Sequence, residues 1–83
     1  MARVYVVVRE SFSFENSESE IVGVYSMRQD AEDKVKFRKE KELEAGHWNK
    51  DWEIQYDFPG IFEACDPDYD STLIIRIDEQ IVR

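Results

Sequence analysis

Alternation of side-chain type at the start of the chain predicts a β-strand over Arg3–Glu10. Val4, Val6 and Val8 share one face of this strand, and Tyr5 and Val7 share the other. The next segment, Ser11–Glu20, is polar and acidic, which predicts a long hairpin loop. Strand character returns over Glu20–Ser26, where Gly23 indicates a bulge or a close approach of the helix.

A helix is predicted from Ser26 to about Ala45. Ser26 and Gln29 have the spacing of a capping box, and Gly46 is a residue type that favours the position just after a helix. The apolar stripe of this helix consists of Met27, Ala31 and Val35.

Beyond Val35 the same helix face carries Arg38 and Glu42. We therefore expect the second half of the helix to extend past the sheet. Exposed pairs at i,i+4 spacing, Glu32–Lys36 and Arg38–Glu42, would steady it.

Apolar residues alternate with polar ones over 52–58, which predicts a half-buried strand. Its inward residues are Trp52, Ile54, Tyr56 and Phe58, and its outward residues include Glu53 and Asp57. Pro59-Gly60 has the order favoured at the centre of a type II turn. A last strand is predicted over Ser71–Asp78, with Leu73, Ile75 and Ile77 on one face.

The order β-β-α-β-β predicts an α+β fold, in which one helix packs on a mainly antiparallel sheet. Residues 1–83 form a single small domain, because a chain of 83 residues has no room for a second core. One helix covers one sheet face, and the first two strands are apolar on both faces. The second face is then covered either by the aromatic segment around Trp48 and Phe62 or by a second subunit. We favour a homodimer or a partner-binding face.

Composition limits the classes of protein to which the chain can belong. Apolar residues at 42% are sufficient for a folded domain, and one cysteine cannot form an internal disulfide. No window approaches the roughly 20 apolar residues of a membrane span. These features predict a cytoplasmic protein that does not bind a membrane.

The net charge of −8 is distributed unevenly along the chain. Residues 28–45 contain six bases and six acids, whereas residues 46–83 contain nine acids and three bases. Direct binding to nucleic acid phosphates is therefore disfavoured, and a protein with a basic surface is the more natural partner. Acidity that serves solubility alone is the other interpretation.

The stretch CDPDYDS, residues 65–71, places aspartates at alternate positions. As a calcium loop it would need a glycine where Ser71 stands and a bidentate glutamate where Ile77 stands. An acidic turn is the better interpretation.

A nucleophilic enzyme would need Cys65 beside His47, the single histidine of the sequence, and their spacing gives no sign of this. The chain also lacks a phosphate-binding glycine loop and a Cys/His set for zinc. We therefore predict no catalytic residues, no metal site, no cofactor and no enzymatic activity.

The segments VYVVVRE and EIVGVYSMRQDAEDKV resemble a group of small bacterial and phage proteins that has no assigned function. In that group a VYVV-like strand and an I-x-GVYS-like strand lead directly into a helix with an Ala-Glu pair. The matching positions here are Val4–Val8, Ile21–Ser26 and Ala31-Glu32, and FPGI at Phe58–Ile61 is similar to a motif before that group's final strand. The resemblance implies a hairpin, helix and strand order and no catalytic residues.

These observations lead to the hypothesis of a small acidic interaction protein, such as a phage or mobile-element accessory protein. It would bind and inhibit or modulate a host protein in the host cytoplasm. The more specific form of this hypothesis is that the host protein is a nucleic-acid-binding defence protein. The predicted partner-binding residues are acidic: Glu53, Asp57, Glu63, Asp66, Asp68 and Asp70. The alternatives are a structural homo-oligomer subunit and a small enzyme that uses Cys65 or clustered carboxylates.

Overall fold

A computed structural model describes residues 2–68 and 70–82, which form one α-helix and an antiparallel sheet of five strands. The elements in chain order are β1 (Ala2–Phe12), β2 (Ser17–Tyr25), α1 (Arg28–Glu44), β3 (Glu53–Phe58), β4 (Ile61–Asp66) and β5 (Ser71–Val82). The strands lie side by side in the order β2-β1-β5-β4-β3. The predicted α+β class is confirmed, with β4 as a further strand that the sequence pattern did not separate.

The β1–β2 hairpin is longer than predicted, and its loop is shorter. Both strands run through the polar segment, so the turn comprises residues 13–16, where Ser13 N–H donates to the Asn16 carbonyl at 2.7 Å. The loop predicted at the start of β2 is wrong, because the polar side chains there belong to a strand at an exposed sheet edge. The register shifts between Val7 and Val8, which leaves Val22 as an extra residue opposite β1. The bulge predicted beside Gly23 is therefore present.

The helix α1 begins at Arg28, and Met27 is its N-cap without a side-chain hydrogen bond. The predicted capping box is wrong, because the Gln29 amide donates instead to Asp33 at 3.0 Å. Met27 is also 60% exposed, so it does not contribute to the buried stripe.

The end of α1 agrees with the sequence. Gly46 has φ of 79° and donates its N–H to the Leu43 carbonyl at 3.1 Å. The His47 N–H donates to the Glu42 carbonyl at 3.0 Å, which completes a Schellman motif. This turn directs the chain back across the sheet towards β3.

The core lies between α1 and one face of the sheet. It consists of buried residues from the helix, from the three strands β1, β4 and β5, and from the loop after α1: Val7, Ala31, Val35, Trp48, Phe62, Ala64, Leu73 and Ile75. The rings of Trp48 and Phe62 lie 4.9 Å apart, and the Trp48 indole donates to the Lys39 carbonyl at 3.2 Å. The aromatic segment therefore packs under the helix, which excludes the alternative in which it covers the opposite face.

β3 departs most from its predicted orientation. Its register shifts between Ile54 and Tyr56, so Gln55 is an extra residue that reverses the alternation of faces. Tyr56 and Phe58 consequently face away from the helix and are 49% and 63% exposed. Their predicted inward orientation is wrong.

Two residues of β3, Ile54 before that bulge and Asp57 beyond it, lie on the helix side of the sheet. Ile54 pairs with Ala64, and Asp57 pairs with Phe62. Ala64 and Phe62 belong to the core. Ile54 is nevertheless 48% exposed, because β3 is an edge strand. Trp52, just before β3, packs against the core as predicted.

None of the helical segments in the described part of the chain is both long and apolar enough to cross a membrane.

The β3–β4 turn offers a test of the backbone geometry. Gly60 has φ of 105°, a conformation that costs other residues about 1–2 kcal/mol, so Gly60→Ala should lower the free energy of unfolding by that amount. Urea denaturation measures the change. Pro59→Ala, next to it in the same turn, is the control and should cost less. Equal stability of Gly60→Ala and the unaltered protein would contradict the positive φ of Gly60.

Candidate functional site

A buried carboxylate joins the second half of α1 to the sheet. The side chain of Glu42 is 2% exposed and lies against Arg9 of β1, whose side chain is 12% exposed. Arg38 donates from Nε to Glu42 Oε1 at 2.9 Å, and His47 Nδ1 contacts Oε2. Arg38 also pairs with Glu20 on β2, so these charged groups connect three elements.

The ionised form of Glu42 is stabilised by its neighbours. Burial alone would raise the pKa of Glu42, but hydrogen bonds from His47, Arg38 and Arg9 outweigh burial and hold that pKa below its usual value. The second half of α1 is therefore fastened to the sheet, and the prediction that it extends past the sheet is wrong. Of the predicted helix pairs, Arg38–Glu42 forms, although its carboxylate is buried rather than exposed, whereas Glu32 pairs with Arg28 at 3.2 Å rather than with Lys36.

The sequence contains a signal for this cluster that the helix pattern obscured. Arg9 lies on the same face of β1 as Tyr5 and Val7, and Glu42 continues the face of α1 that begins with Ala31 and Val35. Opposite charges at core-facing positions of neighbouring elements indicate a buried ion pair. Both carboxylate oxygens of Glu42 are engaged in these contacts, so the cluster has a structural role and attaches α1 to the sheet.

Cys65 and His47 lie on opposite sides of the sheet. Cys65 follows the core residue Ala64 in β4 and faces away from the helix, where the Thr72 hydroxyl donates to its sulfur at 3.6 Å. His47 lies on the helix side, against Glu42. In this arrangement the imidazole cannot accept a proton from the thiol.

The sheet face away from α1, here called the open face, is not covered by any described residue. Cross-strand pairs identify its rows of side chains. The central row crosses all strands in the order Ile21, Val8, Arg76, Ile61 and Phe58. Ile21 and Phe58, at the two ends of this row, are 69% and 63% exposed.

Arg76 occupies the middle of the open face and is held by two carboxylates. Its Nε donates to Glu10 at 2.9 Å, and its Nη1 lies 3.1 Å from Asp78. The hydrogen bonds from Arg76 to Glu10 and Asp78 raise the pKa of Arg76 above its ordinary value, so it remains charged. Its aliphatic stem therefore continues the apolar row, while its charge is neutralised locally.

A second surface gathers acidic groups from separate parts of the sequence. One cross-strand row consists of Ser17, Phe12, Thr72, Cys65 and Glu53. The β1–β2 turn, the β4–β5 turn and the segment before β3 lie beyond this row, at the same end of the molecule. We call this surface the acidic end. Its described segments, 12–18, 49–53, 66–68 and 70–72, contain seven acids and one base: Glu15, Glu18, Asp51, Glu53, Asp66, Asp68 and Asp70 with Lys50.

The six predicted partner-binding residues do not form one surface. Glu53, Asp66, Asp68 and Asp70 meet at the acidic end, and Asp66 accepts the Asp68 N–H at 3.0 Å within the turn. Glu63 lies farther along the open face. Asp57 lies on the helix side and pairs with Lys39 at 3.1 Å. Tyr69, within the stretch CDPDYDS, is outside the described residues.

An open cleft of about 460 Å³ separates α1 from the β3–β4 hairpin. Val35 and Phe62 form part of its wall, while Asp33, Lys36 and Asp57 supply charges of both signs. Such a mixed lining does not select for one ligand charge. Among the described residues, no three His, Cys, Asp or Glu side chains are grouped to hold a metal ion.

No protein-family model, curated protein or solved structure matches the chain.

Removal of the Glu42 charge should destabilise the fold. Glu42→Gln leaves Arg9 and Arg38 without their shared carboxylate, and breaking a buried pair costs about 3 kcal/mol. Urea denaturation at neutral pH measures this loss. Glu40→Gln, an exposed change on the same helix, is the control and should alter stability by less than about 0.5 kcal/mol.

The loss should also depend on pH in one direction. The folded pKa of Glu42 lies below the unfolded value of 4.5, so its contribution is complete above that value and disappears as pH falls through the folded pKa. The stabilities of Glu42→Gln and the unaltered protein should therefore converge in acid. A difference that stays constant down to low pH would show that ionisation of Glu42 does not matter.

Proposed function

We propose that the protein is a small non-enzymatic interaction protein that binds a partner with a basic surface through its acidic end. The supporting observation is the convergence of acids at this end of the molecule, where Lys50 is the one base in the described segments. Charges of one sign in one place produce a field that accelerates encounter with an oppositely charged protein. Scattered acids would serve solubility equally well, so their concentration favours binding.

Exposed aromatic rings at the same end support the proposal. Phe14, in the β1–β2 turn, is 84% exposed, and Phe12 is 40% exposed. Exposed large apolar side chains commonly become buried anchors in protein interfaces, whereas surrounding charges set the rate and orientation of approach. The combination fits a partner with a basic surface that also offers an apolar pocket.

The partner belongs, in this proposal, to a host cell in whose cytoplasm the protein acts as a phage or mobile-element accessory. Binding would inhibit or modulate a host protein, and the acids would imitate phosphate charge towards a nucleic-acid-binding defence protein. The net charge of −8 and the resemblance of the first strands and helix to small phage and bacterial proteins support this context.

A structural role as a homo-oligomer subunit is the second candidate. The exposed Ile21, Val24 and Phe58 of the open face favour it, because copies could bury these side chains by packing their sheets together. The acidic end does not favour it, because like charges would oppose each other wherever two such ends met.

Neutralisation of the acidic end should slow binding to the partner. The variant Glu53→Gln, Asp68→Asn, Asp70→Asn removes three charges with little change of shape, and Asn tolerates the positive φ of 55° at position 70. We expect a partner captured from host lysate to associate roughly tenfold more slowly at low salt. High salt should reduce the difference, because it screens exposed charges.

The control removes the same number of charges from the helix, through Asp30→Asn, Glu40→Gln and Glu44→Gln. Both variants have the same net charge, so a specific role for the acidic end requires that the helix variant bind as the unaltered protein does. Equal capture and equal salt dependence for all three proteins would refute the proposal.

A substitution at Cys65 tests the enzyme alternative. Cys65→Ser retains a polar group that the Thr72 hydroxyl can reach, and we expect it to leave capture of the partner and the midpoint of thermal unfolding unchanged. Loss of partner processing or binding at unchanged thermal stability would instead favour a chemical role for the thiol.

A further inference from the structure

The open face combines an apolar row with carboxylates on both sides of it. Along the central row, Ile21 pairs with Val8 and Phe58 pairs with Ile61, while Arg76 lies between these pairs. The next row on one side includes Glu10, Ile74, Glu63 and Tyr56. On the other side, Asp78 pairs with Val6. The central row from Ile21 to Phe58 is therefore an apolar track with negative charges on both sides.

The edges of the sheet are less suited to binding than its face. β2 and β3 are the edge strands, and each contains a bulge, at Val22 and at Gln55. Bulges interrupt the ladder of N–H and C=O groups that an added strand would need. A partner that uses the exposed apolar side chains would therefore lie on the face rather than extend the sheet.

The charges of the open face disfavour a second copy as the occupant. Arg76 is already shared by Glu10 and Asp78. Glu63 forms no ion pair with another described residue, and neither does Glu53 on the same face. Two such faces together would place these carboxylates against a surface on which the one described base, Arg76, is already paired, and this costs free energy.

The dimensions of the track suit a helix. Four intervals between strands at about 4.8 Å give a track of about 19 Å, the length of roughly 13 helical residues. On the opposite face α1 shows that a helix packs on this sheet over Ala31 and Val35. A helix along the track would bring the residues of its flanks over Glu63 on one side and Asp78 on the other.

We propose that the open face docks a basic amphipathic helix of another protein. The apolar side of that helix covers the row from Ile21 to Phe58, and lysines or arginines on its flanks pair with Glu63 and Asp78. The row from Ser17 to Glu53 borders both this surface and the acidic end, but the central row from Ile21 to Phe58 lies two rows away from it. The two proposals can therefore fail separately.

The probe is a synthetic amphipathic peptide of about 14 residues, with leucines on one face and lysines on the other. Amide chemical shifts of the ¹⁵N-labelled protein locate its binding. We expect the largest changes at Ile21, Val24, Ile61 and Ile74, and small changes on α1 and at the acidic end. A peptide with glutamates in place of the lysines should produce no changes, because its charges repel Glu63.

Two pairs of substitutions distinguish binding at this surface from non-specific hydrophobic binding of the peptide. Ile21→Thr with Val24→Thr keeps β-branched residues in β2 but removes exposed apolar groups, and should weaken peptide binding roughly tenfold. Met27→Gln with Phe37→Gln removes comparably exposed apolar groups from the helix side and should not weaken it. Glu63→Gln should weaken binding and reduce its salt dependence.

Three outcomes would overturn the proposal. Chemical-shift changes concentrated on α1 or at the acidic end would place the peptide elsewhere. Equal binding of the lysine and glutamate peptides would remove the role of charge. Concentration-dependent shifts of open-face amides without peptide, together with a dimer in sedimentation, would show that a second copy occupies the face.

Discussion

The helix α1 is held on its sheet by two kinds of contact, and the second depends on Glu42. Ala31 and Val35 bury apolar surface against Val7 and its neighbours in the first half of the helix. Farther along, Glu42 replaces an apolar residue and makes ion pairs with Arg9 and Arg38. Desolvation of these charges is costly, so the cluster contributes chiefly by fixing one orientation: a displaced helix would leave Arg9 buried without its carboxylate. That orientation determines which sheet face the helix covers and leaves the other face open.

Much of this arrangement could be predicted from local sequence patterns, wherever residues close in sequence determine the structure. The alternation of Leu73, Ile75 and Ile77 identified β5, and Gly46 marked the end of α1 because its positive φ is required there. The pattern failed at β3, where a bulge at Gln55 moved Tyr56 and Phe58 to the opposite face. A bulge depends on pairing with β4, and hence on contacts that no period-2 pattern within β3 contains.

The candidate surfaces were predictable in composition but not in position. Counting charges identified the acidic second half of the chain, yet Asp57 pairs with Lys39 on the helix side while Asp68 and Asp70 project at the end of the sheet. Charge counting does not point to Glu15 and Glu18, because they belong to the other half of the sequence. Antiparallel pairing of β1 with β5 brings the β1–β2 turn beside the β4–β5 turn. The strand order is needed to see this.

The same strand order explains why the exposed apolar residues and the acids occupy adjoining surfaces. β5 is the central strand and β1 lies beside it, so the face away from α1 receives the alternate residues of two long strands, which include the apolar Val6, Val8 and Ile74. Arg76 lies among these apolar residues: its stem follows the central row, and its guanidinium pairs with both Glu10 and Asp78. Glu63 forms no ion pair with another described residue, and this charge beside the apolar row distinguishes the open face from the buried one. A partner that covers the row must therefore supply positive charge as well as apolar surface.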